Sequence, residues 1–280
     1  MKLGISMWSY VHPWQQKKID VAGFIKTAKD LGADGVELLD FFMPGPAEFE
    51  AAKRALAETG LPCGVFSVGN NLVNPDADER RKQTKVIIKG VDSAKELGAK
   101  VVRVFSGNPT EGITFEQALG WIIEGLQEGA RYAEKSGVYL ALENHGKLAG
   151  RSDQVLTIIE KVGSPNFGAN PDTGNFQLVH QLSDEAVAAL AKHAYMVHFK
   201  DFKAAPEGYE GPGYSSIEGK KFYGTAIGEG DVNLLQCVKH LAAAGFTGWL
   251  NIEYEGHEDP TTAMPRSVVN SRRFIAQATA

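Results

Sequence analysis

The chain has 280 residues, 43% of them apolar and 22% charged, and a net charge of -5 at neutral pH. Those values suit a globular protein built as one large domain or two small ones. With no basic stripe and no run of about 20 apolar residues, neither nucleic acid nor a membrane is expected as a partner.

The first residues, 2–8, enter an apolar strand at once, and no signal peptide is read before them. From there one phrase recurs: an amphipathic helix, a glycine near its end, then an apolar strand. Leu31-Gly32-Ala33 leads into Gly35-Val36-Glu37-Leu38, and Leu97-Gly98-Ala99 leads into Val101-Val102-Arg103-Val104. Gly60, Gly137 and Gly245 punctuate in the same way. The pattern predicts strands starting near residues 2, 35, 62, 100, 138, 167, 195 and 249. It predicts helices near 19–31, 47–59, 77–97, 114–136, 152–162, 183–193, 232–244 and 261–277. Strict alternation over residues 1–280 favours a single (β/α)8 TIM barrel domain. A doubly wound sheet would place a glycine-rich turn after an early strand, and residues 9–14 carry no glycine.

Cys63 falls in a strand and Cys237 on an apolar helix face, so both read as core residues in a reducing cytoplasm. Residues 202–230, rich in Gly and Tyr, read as a long irregular loop after the seventh strand, placed to act as a lid or binding loop. Gly228-Glu229-Gly230 is too short to cradle a phosphate and reads as a turn, with Asp231 capping the next helix.

Strand residues alternate faces. Glu143, Asp172, His198 and Glu253 all share the less apolar face of their strands, and all lie late in them, at the mouth where barrel enzymes place their sites. The first three are 29 and 26 residues apart, about one strand-plus-helix unit each. Three carboxylates and an imidazole meeting there would repel one another without a cation, since burying even one unpaired carboxylate costs several kcal/mol. A divalent metal is therefore expected. Glu37 and Arg103, polar residues in apolar strands, are expected to form an ion pair inside the barrel. His12 and Trp14 follow strand 1 at the same mouth and are expected to wall the substrate.

The chain resembles the xylose-isomerase-like barrel superfamily, the sugar-phosphate isomerase/epimerase group. The resemblance rests on Leu142-Glu143-Asn144-His145, Asn170-Pro171-Asp172-Thr173-Gly174-Asn175, His198-Phe199-Lys200-Asp201 and Ile252-Glu253-Tyr254-Glu255. It implies that Glu143, Asp172, His198 and Glu253 hold one divalent ion, manganese first, with magnesium, cobalt or zinc known in relatives. It implies that Glu143 and Glu253 also move protons, and that Asn144, His145 and Lys200 meet substrate. Many epimerases carry a His where this chain has Asn175; an amide can still bind a sugar hydroxyl but does not titrate near neutrality. The extra His ligands of the nuclease branch are missing at residues 67–70 and 106–108. The implied activity is isomerisation or epimerisation of a small carbohydrate by proton abstraction next to a carbonyl. Alternatives are a lyase on the same scaffold, acting on a keto-polyol, keto-cyclitol or keto-glycoside, and a non-catalytic sugar-binding or accessory subunit. Assembly as a homodimer or homotetramer is implied by the same analogy.

Overall fold

Helix, glycine and strand alternate as the sequence pattern requires. In the computed structural model, which describes residues 1–279, the first half of the chain forms β1 (Lys2–Ser6), α1 (Val11–Gln15), α2 (Val21–Asp30), β2 (Gly35–Leu39), α3 (Pro46–Thr59), β3 (Cys63–Ser67), α4 (Ala77–Leu97), β4 (Val101–Val104) and α5 (Phe115–Ser136). The second half forms β5 (Tyr139–Glu143), α6 (Ser152–Val162), β6 (Phe167–Asn170), α7 (Ser183–Leu190), β7 (Met196–Phe199), β8 (Asp201–Ala204), β9 (Tyr214–Ser215), β10 (Lys221–Thr225), α8 (Leu234–Ala243), β11 (Trp249–Ile252) and α9 (Pro260–Thr279). Gly60, Gly98 and Gly137 take the left-handed conformation that ends α3, α4 and α5.

Eight strands form one parallel sheet in the order β6-β5-β4-β3-β2-β1-β11-β7, curled into a nearly closed TIM barrel. Between β6 and β7 the join consists of two isolated parallel bridges, Ala169 with Ala194 and Asp172 with His198. Outward-facing Leu3, Ile5, Val36, Leu38, Leu140 and Leu142 are fully buried in the main core under the helices. Inside the ring, Val65, Val101, Ala141 and Met196 make a second apolar layer with Tyr195 and Trp249. Trp249 occupies the space left by Gly35 and Gly64, where added Cβ atoms would fall 2.5 and 2.2 Å from its ring. This layer floors the barrel, so polar residues one or two positions later in each strand are lifted to the mouth.

The segment 202–230 differs from its expectation as an irregular loop. It carries a three-stranded antiparallel sheet in the order β8-β10-β9. Phe202 and Phe222 bury their rings with Leu178 beneath it, and Tyr214 stacks on Phe202 with ring centroids 5.4 Å apart. Its strands are short and interrupted by glycine turns at Gly208 and Gly219, which hides the period-two signal. Asp231 also departs from expectation: its carboxylate accepts from the Ala204 N–H at 2.8 Å, and α8 starts after Asn233 without a side-chain cap. Cys63 and Cys237 are buried and unpaired, and burial pushes the Cys63 thiol up to about 12. Among the described residues, no helix is long and apolar enough to cross a membrane.

Candidate metal centre

Strand geometry brings the four acid and imidazole groups together. Glu143 ends β5, His198 lies inside β7, and Asp172 and Glu253 follow β6 and β11 by one or two residues. Oxygens of Glu143 and Asp172 and a nitrogen of His198 lie within 4.8 Å of one another. His198 Nδ1 stands 3.1 Å from Glu143 Oε2, 3.4 Å from Glu253 Oε2 and 3.9 Å from Asp172 Oδ2. All four residues are buried. Yet His198 Nδ1 has no hydrogen-bond partner, and Asp172 Oδ2 meets only the Lys200 ammonium, 2.9 Å away. Buried polar atoms almost always have one, so this nitrogen, ringed by carboxylate oxygens, points at a position suited to a cation.

Each donor is held from behind. His198 Nε2 donates to both oxygens of Glu37, at 2.9 and 3.0 Å. That bond fixes one proton on Nε2, so Nδ1, which faces the carboxylates, is the nitrogen left to give up its proton to a metal. Asp172 Oδ1 accepts from the Gly174 and Asn175 N–H groups at 2.9 and 3.0 Å, which leaves Oδ2 to face the cluster. Glu143 Oε1 accepts from His145 Nδ1 at 3.0 Å and from Asn175 Nδ2 at 3.3 Å. Asn170 donates to Glu143 Oε2 at 3.3 Å and accepts from the His198 N–H at 2.8 Å, linking β5 to β7.

The charges shift accordingly. Burial works against the Glu143 carboxylate, but His198, His145 and Arg103 outweigh it and hold its pKa well below the usual range. Burial also works against the His198 cation, yet Glu253, Glu37 and Glu143 raise its pKa well above that of free imidazole. Asp172 is pushed up to about 7 by burial and by the charges of Glu253 and Glu143, with Lys200 opposing.

The xylose isomerase-like TIM barrel family matches residues 25–277. The chain belongs to that family. A Streptomyces coelicolor protein provisionally named a hydroxypyruvate isomerase is 23% identical over 248 residues, 82% of this chain and 84% of that protein. The 3-oxo-isoapionate decarboxylase of Pectobacterium atrosepticum is 22% identical over 224 residues, 77% of this chain and 74% of that one. Among solved structures, a D-tagatose 3-epimerase-like protein superposes over 100% of both chains with a TM-score of 0.78 at 19% identity. A xylose isomerase-like TIM barrel protein from Mycobacterium smegmatis, solved in complex with magnesium, gives 0.73 at 18% identity over 99% of this chain and 96% of that one. At these identities the structures establish the fold.

Within this xylose isomerase-like barrel, the residues expected to meet substrate take different places. Lys200 Nζ lies 2.9 Å from Asp172 Oδ2, 2.7 Å from Glu253 Oε2 and 2.9 Å from Glu255 Oε2. His145 backs Glu143 while leaving its side chain 41% exposed at the mouth. Asn175 is buried against Glu143 and Asp172. Asn144 uses both ends of its amide on the main chain of Asp172, accepting at 2.7 Å and donating at 3.2 Å. His12 lines a cleft beside the cluster. Trp14 packs on Phe41 and Phe42, with centroids 5.2 and 5.1 Å away.

The expected Glu37–Arg103 pair is replaced by two others. Arg103 Nε lies 3.3 Å from Glu143 Oε2, while Glu37 pairs with His198. Arg103 reaches a residue on the adjacent strand, since β4 pairs directly with β5, whereas Glu37 reaches across the ring from β2 to β7. Glu37 as the brace of His198, and Glu255 as a third carboxylate on Lys200, were not anticipated. Glu255 had a visible signal, since it shares the face of Glu253 two residues on. Glu37 had only its isolation in an apolar strand.

Proposed function

We propose that this protein is a divalent-metal-dependent sugar isomerase or epimerase, with Glu143 and Glu253 as its acid/base pair. The reading is carried by His198 Nδ1, a buried atom with no hydrogen-bond partner that faces carboxylate oxygens of Glu143, Glu253 and Asp172. Three carboxylates and one imidazole suit manganese, and also magnesium, cobalt or zinc. Glu143, Asp172, His198 and Glu253 are the residues that would hold the ion. Bound there, a divalent ion supplies Lewis acidity to a substrate carbonyl, worth several kcal/mol.

The chain's own residues do the rest. Glu143 stands on β5 and Glu253 just past β11, with β6 and β7 between them around the ring. The two carboxylates thus approach a sugar carbon from two sides. One takes the proton beside the carbonyl, leaving an enediolate, and the other returns it. Return to the opposite face of that carbon gives epimerisation; return to the neighbouring carbon gives isomerisation. His145 and Asn175 orient Glu143 through its Oε1, and Lys200 orients Glu253 through its Oε2. The Lys200 ammonium, whose pKa is held well above the usual range by Asp172, Glu253 and Glu255 against the effect of burial, also supplies positive charge near a developing oxyanion. The reaction is assigned to the cytoplasm and to a homo-oligomer, a dimer or tetramer.

The deciding experiment incubates the manganese-loaded protein with a panel of keto-sugars in deuterated water. Exchange of a carbon-bound proton with the rest of the molecular formula retained is the expected result. Loss of water, carbon dioxide or a glycosyl group would assign the protein to the lyases instead. Absence of exchange with every keto-sugar would favour a sugar-binding role.

Metal binding is expected to release protons. In the metal-free protein, against the effect of burial, the neighbouring carboxylates raise the His198 pKa well above that of free imidazole, and burial with the charges of Glu253 and Glu143 pushes Asp172 up to about 7. Both must lose their protons to act as ligands. Affinity for manganese therefore rises with pH through the neutral range, and a finite number of protons leaves per ion at pH 7. Calorimetry in buffers of different ionisation enthalpy measures that number; a value of zero would contradict the ligand set.

A further inference from the structure

A cleft of about 760 Å³ lies between the turn that follows β1, the segment after β11 and the outer edge of the antiparallel sheet. Glu143, Asp172 and His198 do not line it, so it stands beside the metal cluster. Its inner wall is Glu255, whose Oε2 reaches Lys200 at 2.9 Å and whose Oε1 accepts from Trp8 Nε1 at 2.8 Å. Lys200 in turn touches Glu253. One carboxylate and one ammonium thus connect the cleft to the proposed reaction centre. The volume lies in the range of about 300–1,000 Å³ typical of ligand pockets, well beyond what a carbonyl and its neighbouring hydroxyls require.

The lining has a definite chemistry. Trp8 is fixed edge-on against Phe41 and Phe42, at 5.7 and 6.1 Å, and Tyr214 presents a 40% exposed ring from β9. Tyr10 also lines the cleft, is 2% exposed, and carries a hydroxyl with no hydrogen-bond partner. Glu255, Glu258 and Asp259 face the same space, with Lys18 as the one lysine. Aromatic walls suit the C–H faces of a sugar ring, and carboxylates accept from its hydroxyls. Glu258 is paired with Arg266 and Glu255 with Lys200, so neither of those cations is free to meet a phosphate or carboxylate, and a neutral ligand is favoured.

We propose that this cleft is a second subsite, which holds a neutral glycosyl or polyol group appended to the carbonyl-bearing sugar. The assignment rests on the sugar-isomerase reading for its substrate, but its test does not depend on turnover. Sorbitol, its glucosyl derivative maltitol, and sorbitol 6-phosphate lack the carbonyl and cannot react. Titrated calorimetrically into the manganese-loaded protein, maltitol is expected to bind about tenfold or more tighter than sorbitol. Tyr214→Ala, which removes the exposed aromatic wall, is expected to weaken maltitol about fivefold. Equal affinity for sorbitol and maltitol, no measurable binding of maltitol, or tighter binding of the phosphate would each overturn the subsite. Proton exchange in deuterated water is read separately, so the subsite and the activity can fail independently.

Discussion

Glu253→Gln is expected to abolish proton exchange between a bound keto-sugar and solvent, with a fall of roughly 10²–10⁴ in rate. The amide keeps the size and one oxygen of the side chain, so Lys200, 2.7 Å away, retains an acceptor. What it loses is the ability to take or give a proton at that position. The variant is expected to fold, because the amide is isosteric and the buried Lys200 keeps the carboxylates of Asp172 and Glu255 as partners. Measured by proton NMR in deuterated water, wild-type exchange in this variant would rule Glu253 out as acid or base. A variant that loses manganese as well as exchange would show that the carboxylate's charge matters for holding the ion, and metal content must be measured in parallel.

Glu37→Leu is expected to weaken manganese binding by about 10–100-fold, the usual effect of removing the group that orients a ligating histidine. It is also expected to destabilise the protein by about 3–5 kcal/mol, because one member of a fully buried charged pair is removed and the other remains. Glu37 and His198 are both 0% exposed, so water cannot replace the lost partner. Ser67, which donates to Glu37 Oε1, is stranded as well. Glu37→Gln offers the comparison: its amide oxygen can still accept from Nε2, so it should keep much of the metal affinity. Calorimetric titration with manganese and urea unfolding separate the two effects. A Glu37→Leu variant with unaltered affinity would show that the imidazole needs no brace.

The barrel and its cluster could be read early because both depend on periodicity. Glycine-ended helices alternate with apolar strands, and period-two alternation assigns Glu143, His198 and Glu253 to one face. Barrel topology then brings those faces to a common mouth. The relations that stayed hidden run across the ring or between loops. Nothing in the order of residues says that the His198 ring reaches Glu37 from β7 to β2, or that Arg103 prefers its neighbour on β5. Trp8 escaped notice because it sits in the turn after β1, where direction depends on backbone turns rather than alternation. Trp14, on α1 just beyond that turn, packs instead against Phe41 and Phe42. The sheet in segment 202–230 was masked by its glycines.

The seam between β6 and β7 gives the cluster a mechanical meaning. The ring of strands is joined least there, and the lower bridge lies at the floor while the upper one is the contact of Asp172 with His198. An ion held by both residues would act as a clasp on that gap, tying the first and last staves of the open sheet. Loading the site would then reinforce a seam that backbone bridges already close, at the place where the ring has the fewest of them.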